Sequence, residues 1–418
     1  MGPDAVAIIP GARLVRRSAD TEFPFRQDSD FWYLTGFNHP EATAVFRTTP
    51  GRPAYSLFVQ PRDRAAETWT GIRPGIEGAR AEFGADEAAD CGSLIESIPE
   101  VLNDAQRLFH SFGRDAKLDA SIQAVQEDRR LHSRRGGAPI DEILDPRAPL
   151  HEMRLFKSPE EMALMREAAA ITCEAHQAAA REAAPERNEY EIEALLDYVF
   201  RRRGGSGPAY GSIVAGGANA AILHYITNDQ PLRSGELLLI DAGCEFKGYA
   251  SDVTRTYPVG GRFQGAQRAV YQAVLEAQQT AIEAVGPGTT LPEIHAAALR
   301  KLVEGMLDLK LLDGQIDDLI EQQAYTQYYM HSTSHWLGLD VHDVGRYAVE
   351  GKPRALEPGM VFTIEPGMYI ARDDASAPES LRGIGVRIED DIAMTADGYE
   401  NLTEAIPKTS EAIENWMA

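Results

Sequence analysis

The chain has 418 residues, of which 44% are hydrophobic and 25% charged, with a formal net charge of −23. That length allows more than one domain with its own core, and the acidic balance argues against nucleic acid and anionic membrane surfaces, which both demand a basic patch. No window approaches the roughly 18 apolar residues of a membrane span, and three scattered cysteines, Cys91, Cys173 and Cys244, make neither a disulfide framework nor a zinc pair.

The apolar run Ala5 to Ile9 is too short for a signal peptide and has no basic residues ahead of it. Val6 breaks the myristoylation pattern. A cytoplasmic protein is expected. Phe31 to Phe37, Thr43 to Thr48 and Ala54 to Gln60 read as strands punctuated by Pro and Gly. A strand-like stretch, Arg107 to Phe112, precedes a helix from about Asp115 to Leu131, and Arg134 to Pro139 has the chemistry of a loop. We expect an N-terminal α/β domain over 1–150 and a second domain over 151–418, with the boundary near Asp145-Pro146-Arg147-Ala148-Pro149.

The second domain opens with a helix start: Ser158 as cap, Pro159 in the first turn and Glu161 completing a capping box. This helix should reach about Glu182, and a second should run from near Asn188 to before Gly204. Strands follow at Glu236 to Asp241 and Gly248 to Pro258. The order then recurs. Helices occupy Gln264 to Val285 and a stretch from Thr290, where Glu293 repeats the capping box, before strands at Met360 to Glu365 and Gly385 to Met394. Helices then strands, twice, suggests two similar α+β halves.

Three strands end in or contain acids. Leu237-Leu238-Leu239-Ile240 runs into Asp241, Val361-Phe362-Thr363-Ile364 runs into Glu365, and Glu389-Asp390-Asp391 interrupts Val386 to Ile392. One such end is an ordinary surface feature. Three favour a shared site, because a carboxylate on a buried strand is costly unless paired or bound to metal. Asp252 adds a fourth acid, eleven residues after Asp241 across Gly243 and Gly248, as a hairpin would allow. Residues two apart share a strand face, so Arg387 should point with Glu389 and Asp252 with Thr254.

Of ten histidines, His331, His335 and His342 lie close together. A zinc helix through His331 and His335 is disfavoured, because Ser332 stands where that motif has its Glu base. Four carboxylates and one histidine form an oxygen-rich donor set suited to Mn, Fe or Co, with Zn possible. Two divalent cations would balance four carboxylates, and a bridging water would then become hydroxide near neutral pH and attack a carbonyl. No G-x-S-x-G, P-loop or dinucleotide pattern is present.

These segments resemble the aminopeptidase P (Xaa-Pro aminopeptidase) family of pita-bread metallopeptidases, of the bacterial cytosolic type. The resemblance is carried by Phe25 to Phe37 (FRQDSDFWYLTGF), His151 to Glu160 (HEMRLFKSPE) and Ile240-Asp241-Ala242-Gly243-Cys244. It implies a creatinase-type N-terminal domain followed by a pita-bread catalytic domain. It places metal ligands at Asp241, Asp252, His335, Glu365 and Glu389, holding two divalent ions, manganese first and cobalt or zinc as alternatives. It places His224, His331, His342, Tyr369 and Arg387 in substrate and proton handling, with His224, His342 and Glu365 as the catalytic groups. Glu365 would also take the proton of the bridging water. The implied reaction removes the N-terminal residue from peptides whose second residue is proline. A prolidase with the same ligands is the nearest alternative. Methionyl aminopeptidase lacks so large a first domain, creatinase lacks the metal ligands, and a non-catalytic module on this fold would have lost them too. A homodimer or homotetramer is expected, with Trp69 either reaching a neighbouring subunit's site or buried in its own core. One departure lies at the start: family members often begin with a helix, whereas this chain opens almost in the first strand.

Overall fold

Alternation organises the first strand: Ala5, Ala7 and Ile9 enter one apolar cluster, and Val6 and Ile8 enter another. A strand buried on both faces must be central, and Ala5–Pro10 is flanked by Thr43–Arg47 and Arg107–Phe109 in a mixed six-stranded sheet. The computed structural model describes residues 1–132 and 139–418. The expected loop at Arg134 to Pro139 lies, except for Pro139, outside the described residues. These divide into two compact units, Met1–His151 and Glu152–Ala418.

In the first unit the sheet runs in the order Glu87–Asp90, Tyr55–Val59, Thr43–Arg47, Ala5–Pro10, Arg107–Phe109, Glu142–Leu144. Helices Leu94–Val101 and Ala116–Leu131 cover one face through Leu94, Ile98, Leu118 and Ile122. Two expectations are corrected here. Phe31 to Phe37 is not a strand, because Ser29–Thr35 is a helix. Asp28 caps it by accepting from Phe31 N–H, and Gly36 ends it at φ 61°. The Arg107 strand stops at Phe109 rather than reaching Phe112.

In the second unit, helices Pro159–Glu182 and Glu189–Arg202 precede a three-stranded antiparallel sheet of Ile213–Gly216, Leu237–Asp241 and Thr254–Pro258. Helices Gly265–Glu283 and Leu291–Asp308 precede a second, of Val361–Ile364, Asp390–Thr395 and Gly398–Asn401. Both capping boxes form: Glu161 accepts from Ser158 N–H at 2.8 Å, and Glu293 from Thr290 N–H at 2.8 Å. Two expected strands are interrupted. Gly248 to Pro258 is split into Tyr249–Ala250 and Thr254–Pro258, and Gly385 to Met394 into Gly385–Arg387 and a strand from Asp390.

Behind the second interruption lies a buried polar core. Arg255 and Asp390 are both fully buried and joined at 2.6 Å. Arg255 also donates to the carbonyls of Thr254, Glu389, Ile406 and Pro407. Lys408, Gln278, Thr403 and Asn401 also donate to Asp390, at 2.5, 2.7, 3.0 and 3.1 Å. The paired cations hold the Asp390 carboxyl well below its ordinary range despite burial. Among the described residues no helix is long and apolar enough to cross a membrane.

Candidate metal centre

Both interruptions carry an acid. Asp252 stands in the gap just before Thr254, and Glu389 in the gap just before Asp390. A break in the ladder frees the chain to turn a carboxylate away from the strand's ordinary alternation. Asp252 is fixed from behind, because its N–H donates to Asp391, whose carboxylate also accepts from Ser251 Oγ at 2.8 Å. Glu389 N–H donates to Thr254 carbonyl at 3.1 Å. Asp241 ends its strand opposite Thr254. The neighbouring backbones approach so closely that a Cβ at Gly243 would lie 1.7 Å from the Ser251 carbonyl oxygen, so only glycine fits.

Asp252, His335 and Glu389 offer ligand atoms within 4.8 Å of one another. His335 comes from an irregular segment, not a helix, and its Nδ1 donates to the Trp336 carbonyl at 3.0 Å. That bond turns Nε2 toward the acids, 3.3 Å from Asp252 Oδ2 and 3.7 Å from Glu365 Oε1. Glu365, directly after its strand, is held by its N–H on the Thr333 carbonyl at 2.8 Å.

A second set of groups faces the acids. Arg387 donates to Asp241 Oδ2 at 2.5 Å, to Thr254 Oγ1 at 3.1 Å and to Tyr369 Oη at 3.0 Å. Thr254 Oγ1 in turn donates to Glu389 at 2.6 Å, so Arg387 and Glu389 converge on one hydroxyl. His331 Nδ1 faces the Ser332 carbonyl at 2.8 Å and must donate to it. Its Nε2 therefore accepts from Tyr369 Oη at 2.8 Å, a relay that runs Arg387, Tyr369, His331. His342 packs edge-on against His335 with ring centroids 4.4 Å apart. His224 and His342 line the same cavity of about 450 Å³ as Asp241, Asp252, Glu365, Arg387 and Glu389.

Sequence reading missed Tyr210. Its hydroxyl lies 2.6 Å from Asp241 Oδ1 and 2.5 Å from Asp252 Oδ1, and shares one proton between them. Only its place in Pro208-Ala209-Tyr210-Gly211 was available as a signal, and that marks a turn, not a site.

Burial, with the neighbouring acids, pushes Asp241 and Glu389 up and Glu365 up to about 7. Against the opposing pull of burial, Asp252 and Glu365 hold His335 up at about 9. Burial and the positive Arg387 lower His331 to about 4, which keeps it neutral. The donor set fits divalent cations: hard oxygens with one imidazole, crowded enough that protons must otherwise offset their charge. The sign of the consequence is fixed. An acid raised from 4.5 to about 7 contributes stability that is complete below 4.5 and is lost as pH rises through 7. His335, raised from 6.5 to about 9, loses its contribution in the same direction. Chelated protein should therefore melt at a lower temperature at pH 8 than at pH 6, and a divalent cation should restore it more at pH 8. A chelated melting temperature that rises across this interval would refute the cluster's assigned charge state.

Comparison with known proteins gives the same picture. Residues 163–396 match the model of metallopeptidase family M24, and residues 1–109 match the aminopeptidase P N-terminal domain. The chain is 46% identical over 418 residues to the Xaa-Pro aminopeptidase of Escherichia coli, covering 100% of this chain and 94% of that protein. It is 34% identical to human Xaa-Pro aminopeptidase 3, covering 99% of this chain and 81% of that one. The solved Pseudomonas aeruginosa aminopeptidase superposes with a TM-score of 0.96 at 45% identity, covering 100% of this chain and 94% of that chain. Zinc-substituted E. coli aminopeptidase P in complex with product gives 0.95 at 45% identity, with the same coverage. On its fold, its acid-and-histidine cluster and these full-length matches, the chain belongs to metallopeptidase family M24 and carries the aminopeptidase P N-terminal domain ahead of its pita-bread catalytic domain.

Proposed function

We propose that this chain is a metal-dependent Xaa-Pro aminopeptidase, releasing the first residue of peptides that have proline second. The observation that carries this reading is the convergence of Asp241, Asp252, His335, Glu365 and Glu389 with Arg387, His224 and His342 in one cavity. Full-length similarity to proteins named for that activity favours it over a prolidase.

The five acid and histidine side chains would hold two divalent ions, whose charge would offset four carboxylates; manganese is our first choice, with cobalt or zinc as alternatives. Such ions supply Lewis acidity and lower the pKa of a nucleophilic water. Glu365, which lines the cavity beside His335, would accept the water's proton. Asp241, already facing a cation in Arg387, would meet the substrate's free amine. A prolyl bond has no N–H, so recognition must use ring shape and the carbonyl beyond it. Arg387 and His331, joined through Tyr369, would orient that carbonyl. His342 and His224 would flank the scissile bond, stabilising developing charge or passing a proton to the leaving nitrogen.

The deciding experiment compares a tripeptide with proline second, the matching Xaa-Pro dipeptide, and a tripeptide with alanine second. The first should be cleaved at its first bond, the others poorly, and chelation should stop turnover until manganese is restored. Cleavage of the dipeptide alone would identify a prolidase. Activity that survives exhaustive chelation would remove the metal from the reading.

Trp69 supports an oligomer. It is 88% exposed at the end of the helix Arg64–Thr70, with Ile72 77% exposed beside it, so its own core does not bury it. A homodimer or homotetramer in which Trp69 approaches a neighbouring site would cover this surface, and a monomeric mass in solution at full activity would overturn that. The three unpaired cysteines suit a cytoplasmic setting.

A further inference from the structure

His342 is the last residue of a loop whose base is closed by backbone contacts. Leu337 N–H donates to the Val361 carbonyl at 3.0 Å, and Asp343 N–H returns to the Trp336 carbonyl at 2.8 Å. Trp336 is fully buried and stacks on Tyr347 at 5.3 Å. The base is therefore rigid, and Gly338 N–H continues it to the Asp340 carbonyl at 3.1 Å. Two aspartates bracket Val341 and His342, and one arginine holds both. Arg154 Nη2 lies 2.6 Å from Asp343 Oδ1 and 2.8 Å from Asp340 Oδ2. Lys157 Nζ takes the other oxygen of Asp343 at 3.0 Å. The side chains of Arg154, Lys157 and Asp343 are at most 3% exposed, whereas that of Asp340 is 35% exposed. The packing demands it: a Cβ at Gly338 would lie 2.1 Å from Asp343 Oδ2 and 2.9 Å from Lys157 Cε.

A buried ion cluster of this kind adds little net stability over an apolar one of the same shape. What it supplies is direction, because a guanidinium imposes a fixed fork on the carboxylates it meets. We propose that Arg154 is a positioning residue for hydrolysis: by holding Asp340 and Asp343 together it fixes the segment between them so that His342 stays against His335 and over the scissile bond. This rests on the role given to His342 above.

The test is a double-mutant cycle on the metal-loaded enzyme with a proline tripeptide. Arg154→Gln leaves Asp343 paired with Lys157 and Asp340 in contact with solvent, so no buried charge is stranded. It should lower kcat by about 10- to 100-fold, the scale of a displacement of about 1 Å in a reacting group, with KM changed little and metal content unchanged. In the His342→Ala background the same substitution should cost nothing further, because the group it positions is gone. Additive losses, or a near-wild-type kcat for Arg154→Gln, would overturn the proposal. His342→Ala at full activity would instead remove the reading on which it rests. Asp340→Ala opens the bracket at its solvent side and replaces Arg154→Gln in the cycle if that variant does not fold; the same non-additivity with His342→Ala is expected.

Discussion

Asp252→Ala should lower turnover by on the order of 10³-fold and strip the protein of most of its metal. Asp252 is where the cluster's contacts meet. His335 reaches its Oδ2, Tyr210 its Oδ1, and Asp391 fixes its N–H. Without it the tight three-residue donor group is reduced to His335 and Glu389. Lewis-acid stabilisation of a hydrolytic transition state is worth several kcal/mol, and each 1.36 kcal/mol is tenfold in rate, which sets the scale. The metal-free proteins should differ far less. Asp252 repels the other acids but also pairs with His335 and accepts from Tyr210, so chelated Asp252→Ala should melt close to chelated wild type. Metal content by elemental analysis, melting temperature and kcat on a proline tripeptide check all three expectations. A fully metallated variant with near-wild-type kcat would exclude Asp252 as a ligand.

Arg255→Ala should cost stability first and activity through it. The guanidinium is completely buried and satisfies Asp390 together with four backbone carbonyls, that of Glu389 among them at 2.5 Å. Removing one partner of such a pair typically costs about 3–5 kcal/mol, which corresponds to a fall in melting temperature of roughly 10 °C for a unit of this size. Lys408 remains on Asp390 and limits the loss. Arg255→Lys keeps the charge but cannot serve all five acceptors, so it should fall between. Because the Glu389 carbonyl is one of those acceptors, metal affinity should drop in Arg255→Ala even well below its melting temperature. A melting temperature within about 2 °C of wild type would contradict this account.

Much of this arrangement was legible in the chain because it is written in local chemistry. Ser158 with Glu161, and Thr290 with Glu293, announce helix starts that any environment would favour. Asp241 and Glu365 stand out because an acid is out of place at the end of an apolar strand. Phe31 to Phe37 was misread because aromatic residues favour strands, yet its caps, Asp28 and Gly36, were the better guide. The breaks at Ser251 to Val253 and Ile388 to Glu389 had no local signal. They form because Asp391 and Arg255, far away in sequence, capture the backbone there. Tyr210 was invisible for a related reason: its partners are Asp241 and Asp252, and only the folded sheet brings the three together. Arg154 and Lys157 were visible in a motif that carried the family resemblance, but their target, Asp343, was not.

The donors of the site are divided between the two similar halves: Asp241 and Asp252 belong to the first, Glu365 and Glu389 to the second. A polypeptide emerging during synthesis folds its earlier segments first, and at that stage it owns only half a coordination sphere. If these residues hold the metal, such a chain could neither retain an ion nor cut a passing peptide. Hydrolytic competence would then arise only when the last sheet closes against the first.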